Sequence, residues 1–413
     1  MNRWHLLVGN YKNNMTTVQQ AEHIIESQAR DYGTEELGFE LSVGRVLAED
    51  IFADRDMPPF NRVTMDGIAI NYAAFAEGLR SFQIIGTQAA GDKPIKITDN
   101  SHCIEIMTGA VLPDTADTVI RYEDVLITGN QAEIITERVE YGQSIHFKGR
   151  DKQQGDVVAT KGRIITPAIV GIIASLGKTK VLVKKIPRVV IISSGDELVE
   201  VNETPSPFQI RKSNNYTVKA ALQQHGIPAD MLHIADDPEL TETTISQSLK
   251  NYDVILLSGG ISMGKFDYIP NALEKAGVAK LFHKVKQRPG KPFWFGASTN
   301  NVLVFAFPGN PVATFMCLNR YFFPWLNATL GLHKKPAMYA ALSEDYTFEP
   351  DLQYFLQVKT TFAADARIIA SPLAGNGSGD FANLADTDAF LELPADRSDF
   401  EAGEVFRLWP FDR

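Results

Sequence analysis

Residues 181–195 read VLVKKIPRVVIISSG, a β-branched apolar run that ends in a glycine turn. Beyond the turn, Asn214 or Asn215 can cap a helix through Gln224, which Gly226 closes. The unit repeats with a strand near 229–234, a cap at Asp237 before Pro238, a helix to about Leu249 and the strand DVILL at 253–257. Next come SGGISMG at 258–264, a helix near 268–276, a strand near 280–286, the strand VLVFAF at 302–307 and a helix opened by Asn310 and Pro311. Alternating β and α units of this length predict a parallel, doubly wound sheet with helices on both faces, because parallel strands need crossover connections.

On the N-terminal side, short β-type runs between turn signals fill about 46–135, among them SFQIIGTQAAG, HCIEIMTGAVLP and DTVIRYEDVLITGN. Helical segments near 17–31 and 166–176 flank them and can pack together around an inserted module. After Pro336 the segments YFLQVKTTF, ARIIASPL and AFLELP return to β grammar. The expected fold class is a multidomain α/β plus β protein. Its first domain takes residues 16–46 and 140–177 in two pieces, with a small β domain inserted at 47–139. A central doubly wound α/β domain follows at 178–327, and a barrel-like β domain closes the chain at 328–413.

At 413 residues the chain exceeds one ordinary hydrophobic core, which agrees with several domains. A formal charge of −10 argues against broad binding to nucleic acid, whose phosphates need a basic face. Two cysteines, Cys103 and Cys317, are too few for a disulfide framework or a four-cysteine zinc site and suit a reducing cytoplasm. No run of 18 apolar residues occurs and the start lacks signal-peptide order, so a soluble protein with no membrane contact is expected. Residues 1–14 are patternless before Met15, where Thr16 or Thr17 can cap the pattern Val18, Ala21, Ile24 and Ile25, so Met15 is the expected native start.

In open α/β sheets ligands bind beyond the carboxyl ends of the strands, and four such ends carry chemistry here. Ser258, Gly259, Gly260, Ser262 and Gly264 have small side chains that let backbone N–H groups approach a phosphate; a tight strand-to-helix turn would use the same glycines. Gly309, Asn310 and Pro311 follow ordinary helix-start grammar at another end. Glu197, Asp236 and Asp267 end three strands or loops and can converge on a hard cation such as Mg²⁺ beside substrate phosphates. In KVKQRPGK, at 284–291, Lys284, Lys286 and Arg288 would share one strand face and, with Lys291, could hold an oxyanion; a lysine-protected edge strand reads the same way. MPPFNRVTMDG, with Asp66, and the string TGA at 108–110 are ambiguous on physics alone.

In order, PPFNRVTMDG, IMTGAVLPDTADTVI, GRDKQQGD, SSGDEL, the Ser213–Asn214 helix start, SGGISMGKFDY, RPGKPFWFG and FPGNPVATF resemble the molybdopterin molybdenumtransferase family. That family includes the C-terminal part of gephyrin and the equivalent plant domain, and the resemblance runs from about residue 16 to 410. It implies a cytoplasmic homodimer of four-domain subunits whose active cleft is completed by the other subunit. The implied reaction takes adenylylated molybdopterin and molybdate, with a divalent cation, to the molybdenum cofactor and AMP. An adenylyltransferase that supplies the pterin and apo-molybdoenzymes that receive the product are the implied partners. Thr108, Asp151, Glu197, Asp236, Asp267, Lys284, Pro308 and Pro311 match family functional positions, Asp66 falls in the family's MDG string, and Ser378 of GNGSG matches the family's serine.

The chain also departs from the family pattern. Asn61 stands where Asp is common after PPF, Arg288 where Lys is common, and His146 near a frequent Arg. Arg288 keeps positive charge but exchanges a compact ammonium for a planar fork. In PDLQYFLQV, at 350–358, Leu352 and Gln357 replace arginines, so part of the usual anion pocket is expected to be missing. Two competing readings follow: a noncatalytic molybdopterin-binding scaffold, and a molybdopterin adenylyltransferase, against which the extra domains and the MDG string argue.

Overall fold

The computed structural model describes residues 15–261, 268–332, 336–373, 375 and 382–411. At its centre lies a six-stranded sheet in the order Ala229–Ile234, Val189–Ser194, Val254–Ser258, Leu303–Phe307, Trp294–Ser298 and Val278–His283. The first four strands are parallel. Val189–Ser194, Val254–Ser258 and Leu303–Phe307 are buried along their whole length, as expected for strands covered on both faces. Two apolar clusters, one on each face, seal the sheet, with Phe293, Phe305, Phe307 and Trp325 on one side and Ile192, Ile245, Leu257 and Leu273 on the other.

The far edge of this sheet departs from the expected grammar. Trp294–Ser298 is an additional strand, antiparallel to both Leu303–Phe307 and Val278–His283. Its sequence WFGAS follows a Pro-Gly-Lys-Pro turn, and Gly296 fits because a Cβ there would overlap the Trp294 ring. The strand before it ends at His283, and Lys284 takes a left-handed φ of 72°, so the single strand expected to reach residue 286 is broken there.

Two expected domain edges also change. The strand Lys180–Lys184 pairs antiparallel with Thr34–Gly38 instead of leading the central sheet, which begins at Val189. Pro187 separates the two runs, and Val181 and Val183 enter a separate core with Leu47, Ile51, Ala159, Ile165 and Ile173. Helix Val18–Glu26, which ends earlier than the expected 31, has its start fixed by a reciprocal Thr17–Gln20 capping box. Its buried face of Val18, Ala21 and Ile25 packs into the central α/β core, not against the 166–176 segment. Helix Pro167–Ser175 instead covers the small core made by residues from both sides of the insertion.

The inserted module holds a six-stranded sheet in the order Thr118–Arg121, Gly67–Ile70, His102–Ile106, Ser81–Gln88, Gln131–Ile134 and Val125–Thr128. Gly67 is required by close approach, since a Cβ would overlap the Ile120 backbone. At the C-terminal end, Gln353–Phe362, Ile368–Pro372, Met338–Leu342, Val405–Pro410 and Ala389–Leu393 pair in sequence, and the last pairs back with the first to close a barrel. Gln287–Arg288 joins that barrel as a parallel edge, tying the central domain to it. Both cysteines are buried, and burial raises the Cys103 thiol to about 12. No helix among the described residues is long and apolar enough to cross a membrane.

Candidate active site

A cleft of about 620 Å³ opens at the carboxyl edge of the central sheet, lined among others by Ser193, Glu197, Lys212, Asn214, Asn215, Ser258, Gly259, Gly309, Asn310 and Pro311. Strands Val254–Ser258 and Leu303–Phe307 lie side by side, so their following loops meet there. Gly259 and Gly260 take φ of 94° and 66°, the left-handed region in which glycine is unstrained. A Cβ on Gly260 would also lie 2.5 Å from Ser194 Oγ, so that position has no room for a side chain. Ser262 and Gly264, expected in the same loop, lie outside the described residues.

Asn214 holds these loops together. It is the first residue of helix Asn214–Gln224 and not its cap; Ser213 takes that position without a side-chain capping bond. The freed amide donates to Ser258 Oγ at 2.9 Å and to the Gly309 carbonyl at 2.7 Å. Sequence reasoning assigned Asn214 a local role because a helix start explains an asparagine without any distant partner. Lys212 was also missed: it is buried, lines the cleft and pairs with Glu200 at 2.6 Å. Pro308 is buried, and its carbonyl accepts from Thr314 Oγ at 2.6 Å, which shapes the turn before Gly309.

Two of the three acidic residues lie among the described residues. Glu197 lines the cleft, where the φ of 127° at Gly195 leaves space for its folded-back carboxylate. Asp236 is exposed at the neighbouring strand end, its N–H bonded to Asp196 Oδ1 at 3.0 Å, and Asp267 lies outside the described residues. Among the described residues no group of three His, Cys, Asp or Glu side chains could hold a metal by itself. Asp237 caps its helix by accepting from Leu240 N–H at 2.7 Å. Burial and Lys212 lower the His233 pKa, and His233 Nδ1 lies 3.0 Å from Ser193 Oγ on the cleft wall.

The expected basic row does not form as one face, because the left-handed φ at Lys284 breaks the alternation and Lys286 pairs with Asp351 at 2.7 Å. Arg288 instead lines a second cavity, of about 490 Å³, between the central domain and the barrel, with Tyr346, Phe348, Tyr354 and Gln357. Phe348 and Tyr354 stack there with centroids 4.1 Å apart. Lys291 is exposed and is not among the residues lining either cavity, and Ser378 lies outside the described residues.

Asp66, Thr108 and Asp151 are exposed and form no part of the cleft's lining. Asp66 Oδ1 accepts from Thr108 N–H at 2.7 Å, and this bond holds the carboxyl below its usual pKa. His146 Nε2 lies 2.9 Å from Asp151 Oδ1, with Arg62 3.1 Å from its other ring nitrogen. Arginine can only donate, so Nδ1 accepts and Nε2 carries the proton towards Asp151.

Comparison with known proteins finds matches along nearly the whole chain. Residues 16–177 match the MoeA N-terminal region (domain I and II), 190–328 a probable molybdopterin binding domain and 339–411 the MoeA C-terminal region (domain IV). A molybdopterin molybdenumtransferase from Synechocystis is 42% identical, over 96% of this chain and 100% of that protein. The chain belongs to the molybdopterin molybdenumtransferase family. A relative of the same name from Staphylococcus epidermidis is 31% identical over 94% of both chains. The crystal structure of the molybdopterin biosynthesis moeA protein from Pyrococcus horikoshii OT3 superposes with a TM-score of 0.80 at 27% identity, covering 96% of this chain and 100% of that one.

Within this family the chain's own departures have structural partners. Asn61 Oδ1 accepts from Lys148 N–H at 2.9 Å, a bond that an ionised carboxylate would also make. Leu352 packs against the barrel core, and Gln357 donates to Thr387 Oγ at 3.1 Å while lining the Arg288 cavity. The neutral residues therefore fill structural positions and add no cation beside Arg288.

Proposed function

We propose that the chain inserts molybdenum into molybdopterin, taking adenylylated molybdopterin and molybdate to the molybdenum cofactor and AMP. The observation that carries this reading is the convergence of the Gly259 and Gly309 loops on one cleft, tied by Asn214 and walled by Glu197. Backbone N–H groups in such loops suit a phosphate group between two ring systems. Arg288, in the adjoining cavity, supplies a planar cationic fork suited to an oxyanion. Lys284, four positions before Arg288, is a further anion-holding candidate.

Glu197 suits a hydrated Mg²⁺, which keeps several waters and takes one or two carboxylates beside phosphate oxygens. Asp236 and Asp267 are its proposed companions. Such an ion would neutralise charge on the phosphates, while Glu197 orients it at the cleft wall.

The working unit is proposed to be a cytoplasmic homodimer. Leu41, Val43, Phe52 and Ile164 stand exposed on the small unit formed around the insertion, an apolar set suited to a second copy. Asp66, Thr108 and Asp151 lie away from their own chain's cleft lining, which suits their completing the partner's site.

One observation favours a second reading. Gln357 and Leu352 leave Arg288 as the cation among the described residues lining the second cavity, as in a scaffold that keeps the pterin but has lost molybdate. Elemental analysis of the pterin product separates the two. Incorporated molybdenum that requires adenylylated molybdopterin supports the transferase, whereas bound pterin without molybdenum supports the scaffold.

A further inference from the structure

Between Glu197 and the helix that starts at Asn214 the chain makes an excursion whose ends, Leu198–Val199 and Ile210–Arg211, pair as a short parallel ladder with Leu198 beside Ile210. Leu198, Pro205 and Ile210 line the same cleft as the glycine loops. Ile210 is 60% exposed and the other two are half-buried, so this apolar surface is accessible to a ligand in the cleft. The excursion is also held in place. Ile210 N–H donates to the Glu197 carbonyl at 2.8 Å, Ser206 N–H to Gln209 Oε1 at 3.2 Å and Arg211 Nε to the Glu203 carbonyl at 3.0 Å, while Lys212 pairs with Glu200 at 2.6 Å. A fixed segment that keeps a branched apolar side chain in water offers surface that a ligand's apolar face would cover.

We infer that Leu198, Pro205 and Ile210 form a shelf that takes the flat face of a substrate heterocycle while the glycine loops take its phosphate. The inference rests on the transferase reading and adds to it the side chains that hold a ring. Pterin and adenine share the required chemistry, a planar ring with apolar faces and polar edges that is joined to phosphate. Leucine, proline and isoleucine side chains carry no hydrogen-bonding group, so the shelf covers a ring face and leaves the ring edge to other groups.

The test is titration of the full-length protein with molybdopterin and, separately, with AMP, for wild type, Ile210→Ser and Ile210→Leu. Ile210→Ser removes apolar surface at an exposed position, so the thermal midpoint should stay at the wild-type value. The ligand whose ring lies on the shelf is expected to lose about tenfold in affinity, and the other to stay within about twofold. Ile210→Leu keeps the apolar face and should bind both within about twofold of wild type. Loss for molybdopterin places the pterin on the shelf and loss for AMP places the adenine there, and either supports the inference. No loss for either ligand, an equal loss for both, or the same loss in Ile210→Leu overturns it. If Ile210→Ser does not fold, the same titrations on Ile210→Ala decide the matter. Wild type that binds neither ligand overturns the transferase reading as well. Wild type that binds beside an unaffected Ile210→Ser variant overturns the inference alone.

Discussion

Asn214 reaches across the cleft to the Gly309 carbonyl, 95 positions later in the chain, at 2.7 Å. The same nitrogen also donates to Ser258 Oγ, so one amide ties together the two glycine loops. Asn214→Ala removes both bonds. Stability is expected to fall by only about 1 kcal/mol, because the site is partly open to solvent. Turnover should fall by at least about tenfold through misplacement of the loops. Thermal melting beside a turnover assay separates the two effects.

The proposed division of one active site between two chains makes a specific prediction. Asp66→Asn and Glu197→Gln should each be inactive alone. Mixed and allowed to exchange subunits, they should regain up to about a quarter of wild-type turnover, because one site in four would carry neither substitution. If sites lie within single chains the mixture stays inactive. Turnover measured before and after subunit exchange is the check.

The strand grammar made the central sheet legible, since each apolar run ends at a glycine or a helix cap, as Val189–Ser194 and Val254–Ser258 do. Trp294–Ser298 was hidden because a strand buried on both faces shows no alternation, and its FWFG string reads equally as a loop after two prolines. Helix Val18–Glu26 was legible as a helix, but its choice of neighbour depends on tertiary contact with the central core, which amphipathicity does not encode. In the site, Glu197 and the glycine loops followed from position at strand ends. Asn214 did not, because a side chain bonded to residues 44 and 95 positions away leaves no local pattern. The basic row failed at one residue, Lys284, whose left-handed backbone breaks the period of two.

Arg320 joins three parts of the molecule from a nearly inaccessible position. It bonds Glu22 on the first helix at 2.8 Å, approaches Glu392 of the barrel at 3.9 Å and lies over the Trp409 ring at 4.2 Å. Arg320→Met would remove a buried cation from beside two acidic groups and is expected to cost about 3–5 kcal/mol. Adding Glu22→Gln should recover part of that loss. Chemical denaturation of the single and double variants measures it.

The Asp66–Thr108 bond carries a pH signature. The folded carboxyl lies below the usual aspartate value, chiefly because Thr108 N–H donates to it. A depressed folded pKa means that the contribution is present above the unfolded pKa of about 4 and is lost as pH falls through the lower folded value. The Thr108 amide resonance should therefore hold its position from neutral pH to about pH 4 and move only below that. A titration step near pH 6 would show that Asp66 is not held by this bond.

The most direct test of the transferase account is AMP release by the purified protein supplied with adenylylated molybdopterin and Mg²⁺, measured with and without molybdate. Release that requires molybdate and matches molybdenum incorporated one for one is the predicted result. Tight pterin binding with no AMP released on adding molybdate would contradict the account.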